Sequence, residues 1–313
     1  MSKITGKLTM IRLAVAVLVA AMTAACVFYA SAATVTIPDT PVPLGQSVVY
    51  SPRTGSQQQS GGGATLDYSN CAEGYVMVKY SNGGKIKVQI TRQGSHTYTY
   101  DLRSDGQYEV FPLTSGSGSY SIGVFANVSG QQYAQAMSAR VDVQIKNSFL
   151  PYLYPNQYVN FNANSQTVAK GVEITQGAAD QLGIVSAVYN YVIKNISYDT
   201  AKAQSVRSGY LPSVDSILAS RKGICFDYAA VMATMLRSQG IPTRLEVGYV
   251  SGGAYHAWIS TYITSVGWVN GVIQFDGKNW KRMDPTFASS AGGSSQIMQY
   301  IGNGSNYSVQ YLY

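Results

Sequence analysis

The chain has 313 residues, of which 12% are charged, with a formal net charge of +7, 25 tyrosines and three cysteines. That length accommodates two domains of ordinary size, and aromatic and β-branched residues are too plentiful for a disordered chain. The charge excess is modest and no basic run accompanies it, which argues against nucleic-acid binding.

Low charge with abundant Tyr, Gly, Ser and Asn suits an exported bacterial-type surface protein. Residues 1–33 read as a targeting segment. Lys3, Lys7 and Arg12 form a basic start, Leu13 to Ala25 is an apolar run, and Ala30-Ser31-Ala32 is a small-x-small cleavage site. Two other readings stay open. One is an uncleaved anchor, since the apolar stretch approaches the ~18 residues needed to span a membrane. The other is lipidation at Cys26, although the usual Leu three residues earlier is missing. All three place the bulk of the chain outside the cytoplasm, secreted or at the cell surface, with membrane contact only through an uncleaved segment. Removing the segment takes three basic residues with it and lowers the charge from +7 to +4. That excess is compatible with association with an anionic cell wall. Removal also leaves two cysteines, Cys71 and Cys225. A disulfide between them would inactivate a nucleophile, so Cys71 reads as an isolated, buried thiol.

Residues 34–66 carry Pro38, Pro41, Pro43 and Pro52 and run into a Gly/Ser/Gln stretch ending in Gly61-Gly62-Gly63. With no periodic apolar pattern, they read as a flexible spacer. Residues 67–148 read as a small β-sandwich. Its strands run from Tyr75 to Tyr80, Lys85 to Ile90, Thr97 to Leu102, Tyr108 to Leu113, Tyr120 to Val128 and Ala139 to Ile145, and Gly/Ser turns separate them. His96 falls on a loop and reads as an ordinary polar residue. The sandwich reads as a spacer or packing domain in preference to a carbohydrate-binding or adhesive module. Residues 149–165 form an aromatic linker, too apolar to float free, that packs between the domains.

Residues 166–313 read as an α+β domain. Ala178 to Ile196 has helical periodicity, and Ser213 to Leu218 is a short helical approach. Between Phe226 and Gln239 there is no Gly or Pro and almost no polar face, which predicts a buried helix. Gly240 and Pro242 end it. Strands follow at Arg244 to Val250, Tyr255 to Ile263, Val272 to Phe275, Trp280 to Met283 and Tyr307 to Tyr313. Cys225 therefore stands at the N-terminus of a buried helix, where unpaired N–H groups and the macrodipole favour a thiolate. A lone buried cysteine is more often a packing residue, so its partners decide. Of the two histidines, His256 follows on a strand, and Asp284 follows after that. The order Cys, His, Asp, with the cysteine on a helix and the others on or beside strands, is used by papain-like nucleophilic enzymes.

The segment from about Asn195 to Phe287 resembles the core of the transglutaminase-like superfamily. The matching pieces are Asn195-Ile196-Ser197-Tyr198-Asp199, Gly223-Ile224-Cys225-Phe226-Asp227-Tyr228-Ala229, Leu236-Arg237-Ser238-Gln239-Gly240-Ile241-Pro242, Gly248-Tyr249-Val250, His256-Ala257-Trp258 and Asp284-Pro285-Thr286. The resemblance implies an α+β, papain-like core preceded by the all-β sandwich, with Cys225, His256 and Asp284 as the catalytic triad. It also implies thiol-dependent acyl transfer through a Cys225 thioester. Hydrolysis of a peptide amide, as by a peptidase or amidase acting on a protein or wall peptide, is favoured narrowly over cross-linking. The rival of another class is a non-catalytic surface-binding protein on the same fold. Tyr198, whose motif precedes the nucleophile, is a candidate oxyanion donor. Trp258 shares a strand face with His256 and is a candidate site wall or core residue. No calcium loop, metal-ligand spacing or cofactor motif is present in the sequence.

Overall fold

The computed structural model describes residues 23–25, 47–250, 252–264, 267–270, 272–275, 280–283 and 307–313. In chain order the first part carries β1 (Thr23–Ala25), β2 (Gln58–Gly61), β3 (Ala64–Asp67), β4 (Tyr75–Tyr80), β5 (Ile86–Arg92), β6 (Thr97–Leu102), β7 (Glu109–Pro112), β8 (Gly118–Ser129) and β9 (Gln132–Val143). These form two sheets, ordered β1-β9-β8-β5-β6 and β2-β3-β4-β7. Alternation explains the sandwich. Ile86, Val88 and Ile90 of β5 and Tyr98, Tyr100 and Leu102 of β6 turn inward, against Leu66, Val76, Val78 and Phe111 of the other sheet.

β2 and β3 correct the reading of residues 34–66 as a spacer, for the part the structure describes. Gly61 pairs with Ala64, so the loop has two residues, Gly62 and Gly63, with φ of 56° and 89°. A two-residue hairpin whose central residues are both left-handed needs glycine. The composition that suggests flexibility is here the signature of a tight turn. Residues before β2 are also held. Gly55 N donates to Asp67 Oδ2 at 2.8 Å, and Val48 N donates to Ser238 O at 2.7 Å.

The targeting segment lies outside the described residues except for β1, which runs parallel to β9. No helix among the described residues is long and apolar enough to cross a membrane. Cys71 is disulfide-bonded, with a partner outside the described residues, so the isolated-thiol reading is corrected. Cys225 is the free thiol among the described residues.

The linker after β9 is buried at Leu150, Tyr152, Leu153, Tyr154, Val159 and Phe161. Gln157 ties it to the sandwich. Its side chain donates to Asp101 O and to the buried Glu109, each at 2.5 Å, and Arg103 meets the same Glu109 at 2.8 Å.

The second part comprises α1 (Gln166–Ile174), α2 (Gln181–Asn195), β10 (Ser197–Tyr198), α3 (Thr200–Ser205), α4 (Val214–Ser220), β11 (Lys222–Gly223), α5 (Cys225–Arg237), β12 (Thr243–Val250), β13 (Tyr255–Ile263), β14 (Gly267–Asn270), β15 (Val272–Phe275), β16 (Trp280–Met283) and β17 (Tyr307–Leu312). α5 is the centre. Its residues from Asp227 to Arg237 are all buried, between α1, α2 and α4 on one side and the sheet β14-β13-β12-β17 on the other. Gly240, at φ 72°, ends it, and Ile241 N reaches back to Leu236 O at 3.1 Å. The fold is α+β, with the core helix on an antiparallel sheet as expected.

Arg237, at the last turn of α5, is fully buried. Its guanidinium donates to three carbonyls: Thr243 O at 2.9 Å, Tyr154 O at 2.9 Å and Tyr313 O at 2.7 Å. Burial pushes its pKa down to about 9, which still leaves it cationic at neutral pH. One side chain thus joins the linker, the core helix, the sheet and the last residue.

Candidate active site

Cys225 opens α5 and is half-buried. As the first helical residue, its N–H has no acceptor within the helix. Ile224 precedes it with an extended backbone and offers no polar side chain to cap the helix. Asp227 takes over that task in reverse: Oδ2 accepts the Ile224 N–H at 2.9 Å. An acid in the first turn also suits the helix dipole.

Asp227 is completely buried, and its charge is met on two further sides. Lys202 Nζ lies 2.5 Å from Oδ2, and the Tyr210 hydroxyl donates to Oδ1 at 2.6 Å. Lys202 also sits 4.2 Å over the Tyr210 ring. Burial, and then the bond to Asp227, push the Tyr210 pKa up, so the phenol stays neutral and donating. This cluster clamps the segment from Lys202 to Tyr210 onto the turn that carries Cys225. On the other side of that turn, β10 and β11 pair in parallel, with Tyr198 opposite Gly223.

Gly223 is required there for space. A Cβ at this position would lie 2.6 Å from Asp227 Cβ. Gly223→Ala is expected to displace Asp227 and cost about 1–3 kcal/mol, the usual range for overpacking. Urea unfolding of the variant measures it. An unchanged midpoint would show that the contact relaxes without strain.

His256 stands on β13, opposite Gly248 of β12. It is 9% exposed. Cys225 and His256 line one cavity of about 470 Å³, with Tyr198, Tyr210, Phe226 and Tyr255 around them. The far wall comes from the sandwich and linker, through Lys87, Thr99, Asp101 and Tyr158. The structure therefore brings Cys225, His256 and Tyr198 to one cavity. Asp284 lies outside the described residues. Trp258 is not on the cavity wall: it is 2% exposed, its ring lies 6.3 Å from that of His256, and its indole N–H donates to the buried Glu246 at 2.7 Å. Of the two roles open to it, core residue is the one it fills.

Sequence reasoning missed Lys202 and Tyr210, whose link to Asp227 is non-local. Asp227, an acid in the first turn of an otherwise apolar helix, was a readable helix-start signal. His96, read as an ordinary polar residue, packs with its ring 5.4 Å from that of Tyr311 on β17.

A buried helix headed by a thiol, packed on an antiparallel sheet that presents a histidine, defines a core of the papain-like class. Residues 168–285 match the family model described as the transglutaminase-like superfamily. That segment is a transglutaminase-like core. The uncharacterized protein YebA of Bacillus subtilis is 24% identical over 148 residues, covering 41% of this chain and 20% of YebA. The chain thus spans about a fifth of the length of that relative. Among solved structures, a candidate cysteine protease from Cytophaga hutchinsonii aligns over 84% of this chain and 81% of its own, at 15% identity and a TM-score of 0.35. Red sea bream transglutaminase aligns over 75% of this chain and 54% of its own, at 12% identity and a TM-score of 0.29.

Proposed function

We propose that the chain is a thiol-dependent acyl-transfer enzyme acting outside the cytoplasm. The observation that carries the reading is that Cys225, a free thiol at a helix N-terminus, shares a cavity with His256. In the first step the Cys225 sulfur attacks an amide carbonyl, and His256 holds the thiol proton. The oxyanion is met by the Cys225 N–H at the helix start, with Tyr198 as the second donor. Collapse of the intermediate breaks the C–N bond, and His256 gives its proton to the leaving amine. The thioester then passes its acyl group to water, regenerating the thiol. Asp284 holds the imidazole tautomer and stabilises its charged form.

The acceptor fixes the reaction's name. Water gives a peptidase or amidase, which we favour, with a cell-surface or wall peptide as substrate. A lysine amine gives an isopeptide cross-link. Incubation with defined wall peptides and a primary amine, read by mass spectrometry, separates the two reactions. Hydrolysis adds one water across the cleaved amide, whereas transfer joins the acyl part to the added amine and releases the leaving amine, which is ammonia when the amide is a side-chain carboxamide. A binding protein without catalysis gives neither product.

A further inference from the structure

β6 is the outer strand of its sheet, paired only with β5 among the described strands. Its free edge can be assigned residue by residue. In an antiparallel strand, successive residues turn their backbone groups to opposite edges. The odd-numbered residues of β5 serve β8, as shown by Gln93 N donating to Ser119 O and Asn127 N donating to Lys85 O. Even-numbered residues of β5 therefore serve β6, where Val88 faces Tyr100 and Ile90 faces Tyr98. Thr97, Thr99 and Asp101 must then turn their N–H and C=O outward. The bond from Gln157 to Asp101 O has that direction. Thr97 and Thr99 are exposed, and no described residue bonds their backbone groups. Thr99 and Asp101 line the cavity that holds Cys225 and His256.

We propose that the acyl donor is an extended polypeptide segment that adds as a further strand to the free edge of β6, anchored on the Thr99 main chain. The inference rests on the reading of Cys225 as the nucleophile. An open edge offers alternating donors and acceptors that an extended main chain matches, and natural proteins usually blunt such an edge. Here Thr97 and Thr99 are unbonded along that edge among the described residues, and Thr99 lines the cavity that holds the thiol. Alternate side chains of the added strand, ~7 Å apart, project toward the aromatic side of the cavity formed by Phe226, Tyr255 and Tyr158. The Lys87–Asp101 pair stands on the sandwich wall of the same cavity. The sandwich is then a substrate-binding surface.

Covalent labelling of Cys225 in the full chain tests this, followed by intact-protein mass spectrometry. The probes are iodoacetamide, a pool of N-acylated single-residue chloromethyl ketones, a pool of N-acylated tetrapeptidyl chloromethyl ketones, and the same tetrapeptide pool methylated at its backbone nitrogens. The wild type should react about tenfold faster with the tetrapeptide pool than with the single-residue pool, as one or two added main-chain hydrogen bonds would give. Methylation should remove that advantage. Thr99→Pro deletes an outward N–H at an edge position that tolerates proline. It should remove the advantage and leave the iodoacetamide rate within about twofold of wild type. If proline disturbs the iodoacetamide rate, the methylated pool on wild type decides alone. An advantage that survives methylation, or survives Thr99→Pro with iodoacetamide unaffected, overturns the proposal, as does no advantage in wild type. If iodoacetamide fails to label Cys225 in wild type, the nucleophile reading falls first and the strand-addition proposal falls with it.

Discussion

Cys225→Ala should abolish turnover, by about four to six orders of magnitude if the chemistry follows other nucleophile–histidine enzymes. The fold should survive, because the side chain is half-buried and small, and because the helix start is held by Asp227, not by the thiol. Iodoacetamide should then no longer modify position 225, read by peptide mapping, since Cys225 is the free thiol among the described residues. The pairing of outcomes matters. Lost labelling with retained turnover would remove Cys225 from the mechanism. Lost turnover with a lowered unfolding midpoint would leave a structural explanation standing, and Cys225→Ser, closer in shape, would then separate the two. His256→Ala should slow both turnover and alkylation while leaving the thiol present and countable.

Arg237→Met should be the most damaging single change to stability. The guanidinium is buried, and backbone oxygens of three separate segments accept from it. A methionine fills most of the volume and satisfies none of them. Hydrogen bonds to a charged group are worth more than neutral ones, and each stranded carbonyl carries its own desolvation cost. The expected loss is roughly 3–5 kcal/mol, or of order 10 °C in melting temperature. Arg237→Lys keeps the charge but loses the planar fork, so it should fall between the two. Thermal unfolding followed by circular dichroism measures both. A methionine variant within about 1 kcal/mol of wild type would mean that water or rearranged neighbours meet the carbonyls.

Much of this architecture could be read before any coordinates. The core helix was legible because its apolar run has no wet face and because Gly240 and Pro242 punctuate its end. β4, β6 and β13 were legible because alternation or β-branched and aromatic content marks their whole length. The hairpin of β2 and β3 was not, because its turn glycines look the same as those of a linker. α1 was missed for a different reason. Its buried face is built from Thr167, Val168 and Gly171, too little apolar area to show a period. At the site, Cys225 and His256 stood out by chemistry and order. Strand periodicity set Trp258 on the side of His256 but could not reveal its depth or its bond to Glu246. Arg237 carried no local signal at all, since a cation in an otherwise apolar helix is explained only by carbonyls 6, 76 and 83 residues away.

The apolar interior runs without a break from Val88 and Tyr100 of the sandwich, through Val159 and Tyr313, to Tyr228 and Met232 of the core helix. A domain that shares its interior with its neighbour is not a transferable cassette. Cutting the chain at the linker would bare Tyr98, Tyr100, Tyr158 and Tyr313, rings now packed on one another. Each half would then carry a sticky apolar face in place of a surface. Lineages that gain or lose the sandwich must therefore rebuild that seam residue by residue, and a calorimeter should record the melting of the whole chain as one event.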